Sequence, residues 1–329
     1  MRIKQTGDSE FISVKIDRKQ TAQGIFESLC VSSVNGIAFH VEPWRCLDIS
    51  FLSFNGTVVS YLAPCGVQHP SVFDYSHDSF SDNMFFGLLS TCGLENTGPE
   101  CVDEHGIRYS HHGSLNYCAA NHAMVQFEEN GQVLIISGCM QDDRFLKHHF
   151  ILYRKIRFTC KTNEIAVEDT VVNNGEKDQI CIMYHYNFGA PFLSDRCRLE
   201  IPYSSVMFKN DIAKQEFPHL MSISPPSSSQ QPHVFYLDFV PAAVHSASVY
   251  NPELDMFAEL SFGGDSLPYM DLWKNLHPDR YVMSFEPCNA FPYGRTHQVE
   301  RGNACYLEKN EMKTYITTFK VGQKNGIQA

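Results

Sequence analysis

The chain has 329 residues, 43% of them hydrophobic and 19% charged, which is the composition of a globular protein and not of a disordered or collagenous one. Its formal charge is −11 and it has no long Lys/Arg run, so no nucleic-acid partner is expected, because that affinity rests on clustered cations. It contains no stretch of about 18 apolar residues and its first eleven residues are polar, so neither a membrane span nor a signal peptide is expected. The 12 cysteines are scattered from Cys30 to Cys305 without a Cys-x-x-Cys pair, which argues against a structural zinc. Without export, that many cysteines imply reduced thiols and a cytoplasmic location.

From there the pattern is strand, turn, strand. Residues 47–54 and 57–62 flank Asn55-Gly56, a pair suited to both left-handed positions of a type I′ hairpin turn, and 123–127 and 132–137 flank Asn130-Gly131 in the same way. Strands are expected at 150–160, 165–172 and 179–186, with turns at Thr162-Asn163 and Asn174-Gly175. More follow at 197–201, 234–239, 247–250, 256–262, 281–286 and 314–321. These runs are rich in Val, Ile, Phe, Tyr and Thr, and no segment keeps a helical period. The reading is an all-β protein, a large antiparallel β-sandwich. Residues 222–232, SISPPSSSQQP, read as an exposed loop inside one domain spanning 1–329.

Four segments carry polar residues that core packing does not require. GLLSTCGLENTG (87–98) is a backbone-exposed turn, and YSHHGSL (109–115) puts an imidazole on a tight His-Gly turn. In YHYNFGAP (184–191), strand alternation places His185 and Asn187 on one face, opposite Tyr184 and Tyr186. A histidine there suits acid–base work near neutral pH. In SFEPCNAFPYGR (284–295), Glu286 lies between Phe285 and Pro287, where partial desolvation raises a carboxyl pKa and makes a better base. Each has a plainer reading: a structural loop, a surface histidine pair, a satisfied core histidine, a solvated edge glutamate. Among the 15 histidines, His111, His112, His148, His149 and His185 could meet, but no His-x-His or His-Glu-x-x-His motif supports a metal site. No nucleophile elbow, phosphate loop or dinucleotide fingerprint is present, so no cofactor and no metal are expected.

In this order GLLSTCGLEN, HHG, HYNFG, YLDF (236–239) and EPCNAFP resemble the motif series of the galactose mutarotase-like superfamily. That series is a glycine-containing turn, His-Gly, His-x-Tyr-Phe-Asn, an acidic residue, then Glu-x-x-Asn/His-x-Pro. The closer resemblance is to a divergent aldose 1-epimerase-like branch with an early Arg-Gly-Leu-Asp-Ile step, here Arg45-Cys46-Leu47-Asp48-Ile49 with Cys in place of Gly. The resemblance implies a cofactor-independent isomerase acting on a small-molecule sugar. It implies that His185 protonates the ring oxygen and Glu286 takes the anomeric proton, from opposite sides of the ring. It further implies sugar contacts at His112, Asn96 and Asp238, with Arg45, Asn187 and Trp273 as further candidates. The family's Arg-rich turn has no arginine here, so the substrate is open to differ from glucose or galactose. For a phosphosugar, Arg45, Arg108, Arg144 and Arg295 are the nominees. The alternatives are a non-catalytic carbohydrate-binding module on the same fold, a hexose-phosphate epimerase, and a metal-dependent isomerase on a cupin-type barrel.

Overall fold

The computed structural model describes residues 2–145 and 148–324; the extreme ends of the expected 1–329 span lie outside them. Two large sheets dominate. The nine-stranded sheet runs Arg2–Thr6, Ala120–Glu128, Val133–Asp143, His149–Thr159, Glu164–Asn173, Met312–Gln323, Met256–Gly263, Val244–Asn251 and Arg198–Glu200. The twelve-stranded sheet has the path Tyr203–Phe208, His233–Phe239, Tyr269–His277, Arg280–Cys288, Asp178–Gly189, Leu89–Leu94, Asp48–Phe54, Ile37–Glu42, Gly24–Ser33 and Ile12–Thr21, with two short strands attached beside it. Pairing within both sheets is antiparallel except where Arg2–Thr6 joins Ala120–Glu128. The α-helices are short, Ser79–Asn83, Asp211–Glu216 and Arg295–Glu300, and no helix of the described residues is long and apolar enough to cross a membrane.

One contiguous apolar cluster fills the space between the sheets, including Phe39, Phe158, Tyr184, Tyr186, Phe188 and Phe319. Two strand hydroxyls identify the inner face. Tyr184 Oη donates to Asp169 at 2.8 Å, and Tyr186 Oη pairs with Thr317 Oγ1 at 2.7 Å, both partners belonging to the opposite sheet. Because side chains alternate, His185 and Asn187 turn to the outer face of the twelve-stranded sheet. The inner polar anchor is Arg154, fully buried, which holds Asp48 and Asp169 at 2.6 Å each.

The first hairpin forms as its sequence demands: Phe54 pairs with Thr57, and Asn55 and Gly56 have φ of 48° and 80°. The second differs. Glu128 pairs with Val133, so four residues make the loop, because Glu129 joins Asn130 and Gly131 at positive φ. Cys46 also sits at φ 59°, a left-handed conformation that favours glycine, which accounts for the Gly of the resembled step. The N-terminal strands Ile12–Thr21 and Gly24–Ser33 escaped the sequence reading. Ile12–Thr21 is an edge strand carrying Lys15, Asp17, Arg18 and Lys19, charges that blunt an edge and hide its β pattern. Residues 222–232 are mainly exposed, with Ile223 buried as an anchor.

Candidate active site

Strand register assembles the site. Tyr236 pairs with Asp271, Asp271 with Glu286, and the Tyr186–Phe285 and Met183–Cys288 pairs bring His185 opposite Glu286. Four polar side chains therefore stand in one row across four adjacent strands, all lining a cavity of about 340 Å³. His185 Nε2 lies 3.1 Å from Glu286 Oε1, both side chains being nearly inaccessible at 5%. The resemblance implied groups on opposite sides of a ring; the register instead puts them in contact. Contact is workable, since the two oxygens that exchange a proton in ring opening are bonded to the same carbon.

The environment favours neutral groups. Burial pushes Glu286 up to about 8, against the lowering effect of the Ser284 hydroxyl that donates to Oε1 and of Lys209. Burial pushes His185 down to about 3, offset in part by Asn187. Asp271 is raised well above the carboxylate range by burial and then by Glu286. Its Oδ1 is buried without a hydrogen-bond partner.

The walls are aromatic. Phe86 and Trp273 stack at 5.7 Å between ring centroids with a 10° interplanar angle, and both meet the His185 ring edgewise. Phe80 packs on His112 at 4.5 Å. His112 and Phe86 both adopt positive φ, 55° and 63°, an unusual backbone for such residues of the kind that gathers at functional sites. His112 Nδ1 accepts from Gly98 N at 3.2 Å, which leaves Nε2 as the protonated nitrogen of the neutral ring. Gly113 is obligatory beside it, as a Cβ there would stand 2.3 Å from Gly93 O.

Of the expected sugar contacts, His112 and Trp273 line the cavity, and Asn187 sits behind His185, donating from Nδ2 to its carbonyl at 2.9 Å. Three others are corrected. Arg45 is fully buried and outside the cavity lining, donating to Asn116 O, Gln68 O and Asn116 Oδ1, so its role is to brace. Asn96 is likewise spent on Pro99 O, Ser110 O and Arg295 N. Asp238 lies outside the cavity lining and caps Phe239 N at 2.9 Å. Asp271, Tyr236, Lys209 and Arg280 are among the lining residues that sequence reasoning missed, and none of the four nominated arginines lines the cavity. The signal for Asp271 was its spacing: two residues before Trp273 on a strand, hence on the same face. His111 and His112 stack at 4.5 Å and His185 is near, whereas His148 lies apart, between Glu95 and Asp142. Among the described residues no three His, Cys, Asp or Glu side chains are grouped to hold a metal ion, and all 12 cysteines are free thiols.

The fold is that of the galactose mutarotase-like β-sandwiches. A "putative aldose 1-epimerase" from Klebsiella pneumoniae subsp. pneumoniae superimposes with a TM-score of 0.87 at 22% identity, over 93% of this chain and 83% of that one. A galactose mutarotase-like protein from Clostridium acetobutylicum gives 0.65 at 12% identity, over 94% and 99%. Galactose 1-epimerase from Lactobacillus acidophilus gives 0.59 at 10%, over 94% and 99%. No curated protein matches the sequence. Within this fold class the chain belongs to the family described as Domain of unknown function (DUF4432), whose model matches residues 24–321.

Proposed function

We propose that this protein is an aldose 1-epimerase, interconverting the α and β anomers of a sugar by acid–base ring opening and closure. The observation that carries this reading is the His185–Glu286 contact of 3.1 Å on the floor of an aromatic-walled cavity. Opening the ring breaks the bond between C1 and the ring oxygen. Unassisted, that leaves an alkoxide or an oxocarbenium. A group that takes the O1 proton while another delivers one to the ring oxygen avoids both charges, and each such transfer is worth about 10²–10⁴ in rate.

One proton on the pair suffices. Burial holds it on Glu286, leaving His185 neutral. The family-like assignment, Glu286 as base and imidazolium as acid, is the other tautomer of the same one-proton state, reached by moving the proton across the contact. In that tautomer Glu286 accepts the O1 proton and His185 gives its Nε2 proton to the ring oxygen. Ring opening thus returns the pair to carboxyl and neutral imidazole. After rotation about C1–C2, ring closure runs the transfers backward and regenerates the starting pair. Asp271 and Tyr236 face the sugar hydroxyls, and the aromatic walls exclude water and present apolar surface to the ring. Phe86 covers one face of Trp273, so a sugar stacks on the exposed part of this pair.

The test is exchange spectroscopy on the anomeric protons of a panel of aldoses at equilibrium. Enzyme-dependent cross-peaks between α and β signals support the reading; saturable sugar binding with no exchange on any sugar would replace it with the binding-module alternative.

A further inference from the structure

The cavity holds more charge than the His185–Glu286 pair employs. Lys209, just past the strand Tyr203–Phe208, and Arg280, at the start of the strand that carries Glu286, both line it and both are exposed at its rim. Among the described residues neither side chain is paired with a carboxylate or makes a hydrogen bond.

The two cations are placed away from the floor. Lys209 N donates to Val234 O, and Val234 pairs with Trp273, one step along the sheet from the Asp271–Glu286 row. From there its charge reaches both carboxyls. Arg280 stands at the opposite end of its strand from Glu286, near Tyr61, whose phenol feels its charge. The cavity is therefore polarised, with two buried carboxyl groups at the floor and two unneutralised cations at the rim.

We propose that the rim between Lys209 and Arg280 seats an anionic group of the sugar, remote from its anomeric carbon, so that the substrate is an acidic aldose. The inference rests on the epimerase reading for the position of C1. A carboxylate, phosphate or sulfonate finds no cation at the neutral floor and two at the rim, which orients the ring with its anomeric end on His185 and Glu286. Both cations are exposed, so the gain is moderate: a charge-assisted hydrogen bond corresponds to about tenfold in affinity per cation. Being exposed, the seat is sensitive to salt.

The experiment compares D-glucose, D-galactose, D-glucuronate, D-galacturonate and D-glucose 6-phosphate as substrates for anomer exchange by the full chain and by its K209M/R280M variant. Binding is read separately by titration calorimetry, with thermal unfolding as the check on folding. The expected result is kcat/KM at least about tenfold higher for one acidic sugar than for its neutral counterpart, carried by KM, weakened by added salt, and lost in the double variant. The uronate and phosphate arms name the anion. Equal or better use of neutral sugars, or a preference that survives in a folded double variant, overturns the seat and leaves the epimerase standing. Salt-sensitive binding of acidic sugars that the variant loses, with no anomer exchange on any sugar, supports the seat and removes the epimerase reading.

Discussion

Asp271 and Glu286 face each other in register on adjacent strands, two buried carboxyl groups side by side with one oxygen, Asp271 Oδ1, left without a hydrogen-bond partner. A buried polar atom with no partner costs free energy until something supplies one. Here the atom belongs to a side chain lining the cavity, so a sugar hydroxyl is the natural donor. Asp271→Ala is expected to lower kcat/KM for anomer exchange by about three- to tenfold, the range of a hydrogen bond between neutral groups. A loss below about twofold would show that Asp271 does not touch substrate.

The pH dependence follows from the one-proton state of the His185–Glu286 pair. Glu286 is raised to about 8 and His185 lowered to about 3, both by burial. Exchange should hold between these values, fall above about pH 8 as the carboxyl loses its proton, and fall below about pH 3 as the imidazole gains one. A bell confined to ordinary values, near 4 and 6.5, would mean the pair is solvated in the working enzyme.

Ser284 tunes the basic side of that profile. Its hydroxyl donates to Glu286 Oε1 and so stabilises the carboxylate. Ser284→Ala removes a lowering influence, so the basic limb moves to higher pH, with kcat falling no more than about tenfold. A limb that moves to lower pH would contradict this geometry.

The stability of the site strand depends on the buried network beneath it. Arg154 holds Asp48 and Asp169, and Asp169 in turn accepts from Tyr184, next to His185. Arg154→Met strands two carboxylates in the interior and is expected to cost about 3–5 kcal/mol in urea unfolding. A change under about 1 kcal/mol would show that the cavity left behind admits water to both.

Much of this was legible in the sequence because it is local. Asn55-Gly56 determines its own turn, and alternation alone separates His185 and Asn187 from Tyr184 and Tyr186. Glu286 stood out because a carboxylate between Phe285 and Pro287 has little water around it. What was missed is non-local. The strand Tyr269–His277 reads poorly because Asp271, Lys274 and Asn275 interrupt its apolar residues. Each has a reason that only the fold supplies: Asp271 and Asn275 face the cavity, and Lys274 points the other way, donating to the carbonyls of His219, Leu220 and Ser222. Asp238 came from a short motif likeness and Asp271 went unnoticed, because the sequence does not show the strand register that pairs Asp238 with Tyr269 and Asp271 with Glu286. Arg45 and Asn96 have the chemistry of sugar ligands, but the bracing contacts that occupy them come from distant segments.

The most direct measurement is the rate of anomer exchange by the wild type, His185→Ala, Glu286→Gln and the double variant, each checked for folding. If the two residues pass one proton between them as a unit, each single change costs about 10²–10⁴ in kcat and the double change costs hardly more than either alone. Single variants that exchange anomers at the wild-type rate would place the chemistry elsewhere and contradict the central claim.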